Sequence, residues 1–166
     1  MFDRSVLFIG AEGVGLGMLA EALALDHARA VNGLLPLRIY SATTSDAADS
    51  DPVMLRAMQR LKLDTNGLSL KPVALYAFAG APRIDHVVLL GAELPAATRF
   101  ALGENLDVRS WPVRTPSVEQ GATNSPGARY QDYLNLAEDL RPRVAALVDE
   151  LTDMEAPSQN AIAHSA

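Results

Sequence analysis

Ser5 to Gly10, SVLFIG, is the segment that most restricts what this chain can become. An uncharged run of strand formers halted by glycine suits a strand buried on both faces, and such strands belong to parallel sheets covered by helices on each side. The next segments agree. A glycine-rich loop, AEGVGLG, leads into MLAEALALDHARAVNG, which is rich in alanine and leucine and stops at Gly33, where glycine makes a good helix end. On a helical projection Leu19, Ala20, Leu23, His27, Ala30 and Val31 share one arc, while Glu21, Arg29 and Asn32 share another. The expectation is a helix with one face on the sheet, in which His27 is a packed histidine rather than a base.

The alternation of strand and helix continues. LRIYSA, Leu37 to Ala42, reads as a second strand, and Asp51-Pro52 then opens VMLRAMQRL with an N-cap candidate and a proline at the first helical position. Val53 or Met54, Ala57, Met58 and Leu61 form its apolar stripe. From Lys62 to Arg83 the NG, KP, AG and AP breakers predict mostly loop, with a short apolar insertion, LYAFA. HVVLLG, His86 to Gly91, and LDVRSW, Leu106 to Trp111, are the third and fourth strands, with a short helix in ELPAATRFAL between them. From Tyr133 the residues Ala137, Leu140, Val144, Leu147, Val148 and Leu151 mark a long amphipathic helix, which Pro142 should kink or split. Trp111, beside Pro112, reads as a core or rim aromatic, and Asp46, Asp49 and Asp51 as solvated turn and cap residues rather than a cation site. The order predicts an α/β domain: a four-stranded parallel sheet with helices on both faces and right-handed crossovers.

Composition narrows the function classes. A chain of 166 residues, 49% of them hydrophobic, has the size of one domain. Its formal charge of −6 would repel a nucleic acid or an anionic membrane, so neither is expected as a partner. The absence of cysteine removes disulfides, thiolate metal ligands and thiol nucleophiles together. No apolar run approaches the ~18 residues of a membrane span, and a soluble cytoplasmic protein is expected.

In open parallel sheets ligands bind beyond the carboxyl ends of the strands, which places Gly10, Ala11, Glu12, Gly13, Val14, Gly15, Leu16 and Gly17 at the functional end. Four glycines at a helix N-terminus let backbone amides turn toward an anion. Two common glycine codes nevertheless fail. A Walker A loop from Gly10 to Gly15 would need Lys and Ser or Thr where Leu16 and Gly17 stand. Gly15, Gly17 and Ala20 fit G-x-G-x-x-A, but Gly15 lies well past the strand, and the second strand ends in Tyr-Ser-Ala without an acid for a ribose. The loop is either a relaxed turn whose ligand has been lost or a weak site for an anion or other small ligand.

A wider frame fits better. Val6 to Leu23, VLFIGAEGVGLGMLAEAL, resembles the opening of the low-molecular-weight protein tyrosine phosphatases, whose fold is shared with thioredoxin-linked arsenate reductases: an apolar strand, Cys, five residues, Arg, Ser, then a helix carrying M-A-E-A-L. YSATT, Tyr40 to Thr44, is similar to the family's Y-S-A-G-T. Leu63-Asp64, then Ser69, Lys71 and Pro72, look like its G-I-D and S-x-P turns, Asp85 to Val88 like its D-x-V-I strand start, and Trp111 to Pro116 like W-x-x-x-D-P. The resemblance implies the strand order 2-1-3-4 and a phosphatase-like domain over residues 1–154, while the tail over 155–166 lacks periodicity and is expected to be mobile.

Carried over position by position, the nucleophilic cysteine falls on Gly10, the phosphate-gripping arginine on Leu16, the supporting serine on Gly17 and the general-acid aspartate on Thr115. None of these can do its counterpart's work. Attack on phosphorus needs a thiolate, its oxygens need a bidentate guanidinium, and the leaving group needs a proton that threonine cannot give up. Glu12 adds a carboxylate to the would-be anion cradle. The expectation is a pseudophosphatase with no catalytic residues, no metal and no cofactor, acting through a protein partner or an unknown small ligand. The alternatives are a family enzyme with residual activity and an anion or nucleotide module using the glycine loop.

Overall fold

The structure, a computed structural model, describes residues 4–11, 15–31, 37–44, 50–114, 116 and 126–153. Its centre is β1 (Arg4–Gly10), flanked by β2 (Leu37–Thr43) and β3 (His86–Leu90), with β4 (Asp107–Trp111) at the far edge. All pairings are parallel and the order is β2-β1-β3-β4, as expected. Register aligns Thr43, Gly10, Leu90 and Trp111 across one edge of the sheet. That edge is where the strands end and the candidate loop begins.

Successive strand residues alternate between faces, and here both faces are apolar. Val6 and Phe8 of β1, with Val88 and Leu90 of β3, join the core formed with α1 (Leu16–Val31), α2 (Pro52–Arg60) and α4 (Pro126–Asp153). Leu7, Ile9, Val87 and Leu89 face a second core, closed by a 3₁₀ turn at Val73–Tyr76 and by Leu102 of α3 (Ala96–Leu102). Helices therefore lie on both faces, but unequally. One layer holds helices of 16, 9 and 28 residues, whereas the other holds a four-residue turn and a seven-residue helix that buries none of its residues.

Three local expectations are revised. Pro142 does not split the last helix, which runs unbroken from Pro126 to Asp153. Pro142 removes the amide that would bond to the Glu138 carbonyl, and both residues lie on the exposed side of the helix rather than in the core. Buried Ala137 and Leu140 before the proline, and Val144 and Leu147 after it, hold both halves against one core. The segment before β3, read as mostly loop, contains the 3₁₀ turn because Val73 and Tyr76 are drawn into the second core.

Asp51 caps α2 as expected, accepting from the Val53 amide at 2.9 Å, yet it is buried rather than solvated. Its carboxylate also takes the Tyr133 hydroxyl at 2.7 Å and Arg129 Nε at 3.0 Å, pinning the start of α2 to α4. Asp46 and Asp49 lie outside the described residues, as does the tail from 154 onward. Among the described residues no cluster of histidine and carboxylate side chains could hold a metal, and no helix is long and apolar enough to cross a membrane.

Candidate functional site

Gly10 ends β1 and its carbonyl accepts from the Thr44 amide at 3.2 Å. Beside it, the Thr43 amide donates to the Lys71 carbonyl at 2.8 Å, and Pro72 bridges to Thr43, so the segment after Ser69 lies along the edge of β2. α1 begins at Leu16, with the Met18 amide donating to the Gly15 carbonyl at 3.0 Å. Gly15 itself takes φ +84°, a conformation that favours glycine, with Met54, Ser50 and Leu70 around it.

The start of α1 sits directly on the strand ends. A Cβ placed on Gly10 would lie 2.9 Å from the Gly17 nitrogen and 3.1 Å from Leu16 Cβ. A Cβ on Gly17 would meet the Phe8 carbonyl oxygen at 2.7 Å and the Ala42 oxygen at 2.8 Å. Leu16 is wholly buried in the main core. Three of the positions singled out by the sequence therefore come together here, two without room for a side chain and the third turned inward. Ala11 and Gly15 complete the described part of the loop; Glu12, Gly13 and Val14, together with Thr115, lie outside the described residues.

One turn into α1, Glu21 is buried, although the helical projection separates it from the apolar arc. Its carboxylate accepts the Ser41 hydroxyl of β2, and the Ser41 carbonyl accepts from Tyr76 Oη at 3.2 Å. Burial raises the Glu21 carboxyl above the ordinary carboxylate range, opposed by the Ser41 hydrogen bond and by the Lys71 ammonium. Burial, the Glu21 carboxylate and Tyr40 push the Tyr76 hydroxyl up to about 12. This polar cluster under the loop escaped the sequence reading. Its signal was present nonetheless, because Glu21 belongs to MLAEAL and Ser41 to YSATT, the two segments that carry the family resemblance.

Two further groups border the same end of the sheet. Arg129 is committed to Asp51, so its charge is already matched, and burial and Asp51 together raise the pKa of the Tyr133 hydroxyl. Trp111, half-buried at the end of β4, packs a tilted ring 6.4 Å from Phe8 and carries the Arg143 guanidinium 4.7 Å over its own ring. Past it, a cavity of about 540 Å³ opens between Pro112, Val113, Arg114 and Pro116 on one side and α4 on the other. Trp111 is thus the rim aromatic expected. His27 is bound at 2.8 Å to Asp149 of α4 and is not part of the loop.

No family sequence model and no curated protein sequence matches the chain. Solved structures do match it. An arsenate reductase in its oxidized state aligns with a TM-score of 0.60 at 16% identity, over 89% of this chain and 98% of that one. A low-molecular-weight phosphotyrosine phosphatase from Vibrio cholerae gives 0.60 at 16% identity, over 92% and 99% of the two chains. The fold is that of the low-molecular-weight phosphatases and arsenate reductases. A YwlE arginine phosphatase with a phosphorylated active-site serine also shares it, at TM-score 0.57 and 15% identity, over 89% of this chain and 95% of that one. Within this phosphatase-like fold, the place that the sequence resemblance gives to the nucleophile is occupied by Gly10, where the strand meets the helix.

Proposed function

We propose that this chain is a pseudophosphatase: a phosphatase-like α/β domain that hydrolyses no phosphomonoester and reduces no arsenate, and that works by binding a protein partner in the cytoplasm. The observation that carries this is the packing of α1 onto the strand ends, with no clearance for a side chain at Gly10 and with Leu16 enclosed in the core. Glycine offers no nucleophile, and a buried leucine gives no donors to the equatorial oxygens of a phosphoryl group. A chain without cysteine also has no thiol on which an arsenic–sulfur or disulfide intermediate could form.

Aryl phosphate hydrolysis, and arsenate reduction in the presence of thioredoxin, should stay at background. Turnover of ~1 s⁻¹ or more, within the ordinary range for enzymes, would overturn the proposal. Phosphate titration followed by NMR at low salt tests the loop separately. Amides and a helix dipole contribute only ~0.3 to 1 kcal/mol near a surface, so binding should be weaker than ~1 mM. Replacement of Glu12 by glutamine should tighten it. Submillimolar phosphate binding by the unmodified protein would favour a small-anion module instead.

A further inference from the structure

After α2 the chain passes through Lys62, returns to the core at Leu63 and then makes a tight turn at the surface. The Asp64 carboxylate accepts from the Asn66 backbone amide at 3.0 Å, and the Leu68 amide donates to the Thr65 carbonyl at 3.2 Å. Gly67, the third residue of that four-residue turn, takes φ +79°, a positive value that glycine supplies in such places. No atom lies within 4 Å of where a Gly67 Cβ would stand, and Asn66 and Gly67 are both exposed. Among the described residues no group accepts from the Gly67 amide. Asn66 thus sits in front of a backbone nitrogen that is unbonded, open to water and free of a neighbouring side chain.

We propose that Asn66 is a site of self-modification, which deamidates through a cyclic imide in the folded protein. The Gly67 nitrogen bonds to Asn66 Cγ, and the side-chain amide nitrogen leaves as ammonia, carrying off the proton that the Gly67 nitrogen gives up. With no Cβ on the attacking residue, this five-membered ring closes with the least crowding. Water then opens the imide at either carbonyl. One opening yields aspartate; the other yields isoaspartate, in which the main chain runs through the former side chain and gains a carbon. Either product adds one carboxylate beside Asp64. The Asp64 carboxyl is held below its ordinary range by the Asn66 backbone amide and then by Arg29, whose Nη1 lies 3.0 Å away and ties the turn to the last turn of α1. A second carboxylate two residues on replaces the Asn66 side-chain amide, a donor to Asp64, and competes for Arg29. Deamidation therefore loosens the link between this turn and α1. This does not rest on the pseudophosphatase proposal, since the loop at residues 10–17 takes no part in the chemistry.

Incubation of the folded full chain in neutral buffer at physiological temperature, followed by tryptic digestion and mass spectrometry, tests the inference. The peptide Leu63–Arg83, which trypsin leaves whole at Lys71-Pro72, reports Asn66, whereas Ala30–Arg38 reports the chain's other Asn-Gly pair, Asn32-Gly33, separately. The expected result is a first-order gain in the mass of the first peptide, from amide to acid, at a rate within about ten-fold of that in the urea-unfolded chain. Part of the product should accept a methyl group from an isoaspartyl carboxyl methyltransferase used as a probe. Gly67→Ala, whose Cβ meets no neighbour although it strains the turn, should slow the conversion by about ten-fold or more. Asn66→Gln, which would need a six-membered ring, should leave the peptide unmodified. In an Asn66→Asp protein the Asp64 carboxyl, followed by NMR, should titrate higher than in the wild type. An Asn66 that stays intact in the folded chain while it deamidates in urea would overturn the inference, because the turn then shields the carboxamide. Conversion at an undiminished rate in Gly67→Ala would overturn the route, and an unmoved Asp64 titration would overturn the link to α1.

Discussion

Gly17 is held by the backbone around it. Helix propensity alone would favour serine over glycine by a few tenths of a kcal/mol, but a Cβ there would press on the Phe8 and Ala42 carbonyl oxygens at 2.7 and 2.8 Å, and neither is a flexible side-chain end that can swing away. Gly17→Ser should therefore destabilise the fold by ~1 to 3 kcal/mol, the usual scale of overpacking, as read by urea unfolding; an unchanged midpoint would mean that α1 lifts off the strands cheaply. Glu21 makes a pH-dependent prediction. Its folded pKa is raised, chiefly by burial, so the folded state holds this proton over a window in which the unfolded chain releases it. Stability from this group is present below the ordinary carboxylate pKa and is lost as pH rises through the folded value. Glutamine keeps an oxygen for the Ser41 hydroxyl and cannot ionise. The stability of Glu21→Gln relative to the wild type should accordingly rise as pH increases above the ordinary carboxylate pKa of about 4, and a gap that stays flat with pH would refute the cause assigned to the shift.

Between elements, Asp51 joins α2 to α4 through contacts with residues 78 and 82 positions away. A lost N-cap costs typically ~1 kcal/mol, whereas stripping the partner from a buried charge costs ~3 to 5 kcal/mol. Arg129 keeps only 18% of its side-chain exposure, so Asp51→Ala should fall toward the larger figure in chemical denaturation, and Asp51→Asn, which preserves the cap, should fall between the two. A loss near 1 kcal/mol for alanine would reduce Asp51 to a cap. Pro142 acts in the opposite sense. It sits on the exposed side of a continuous helix, and proline in a helix interior is ~3 kcal/mol less favourable than alanine. Pro142→Ala should stabilise the protein by up to that amount in the same assay, by restoring a donor for the Glu138 carbonyl.

Over the whole molecule, the packing of α1 onto the strand ends opposes new side chains at Gly10 and a charge at Leu16. Gly10→Cys together with Leu16→Arg supplies a thiol and a guanidinium, but the first lacks clearance against α1 and the second replaces a wholly buried leucine with a charge. The double variant should lose stability, seen as a lower thermal midpoint, and should leave aryl phosphate hydrolysis far below ~1 s⁻¹. Turnover at that level would mean that the start of α1 moves readily and that Thr115 and Glu12 matter less than their chemistry suggests.

The sequence by itself determined the parallel sheet, since unbroken apolar runs at Ser5–Gly10 and His86–Gly91 are stable only between two covering layers, and its family resemblance supplied the strand order. It also located the loop where the first strand ends. It did not determine clearance or pairing. Whether Gly10 and Gly17 tolerate a side chain depends on the separation of α1 from carbonyls of two strands. Glu21 was assigned to the wrong arc because an angular pattern cannot anticipate a serine waiting on β2. Asp51 read as a solvated turn residue because its partners arrive from the far end of the chain. In each case a side chain's fate rests on atoms distant in sequence and brought within hydrogen-bond or van der Waals range, a separation that only the packed structure sets.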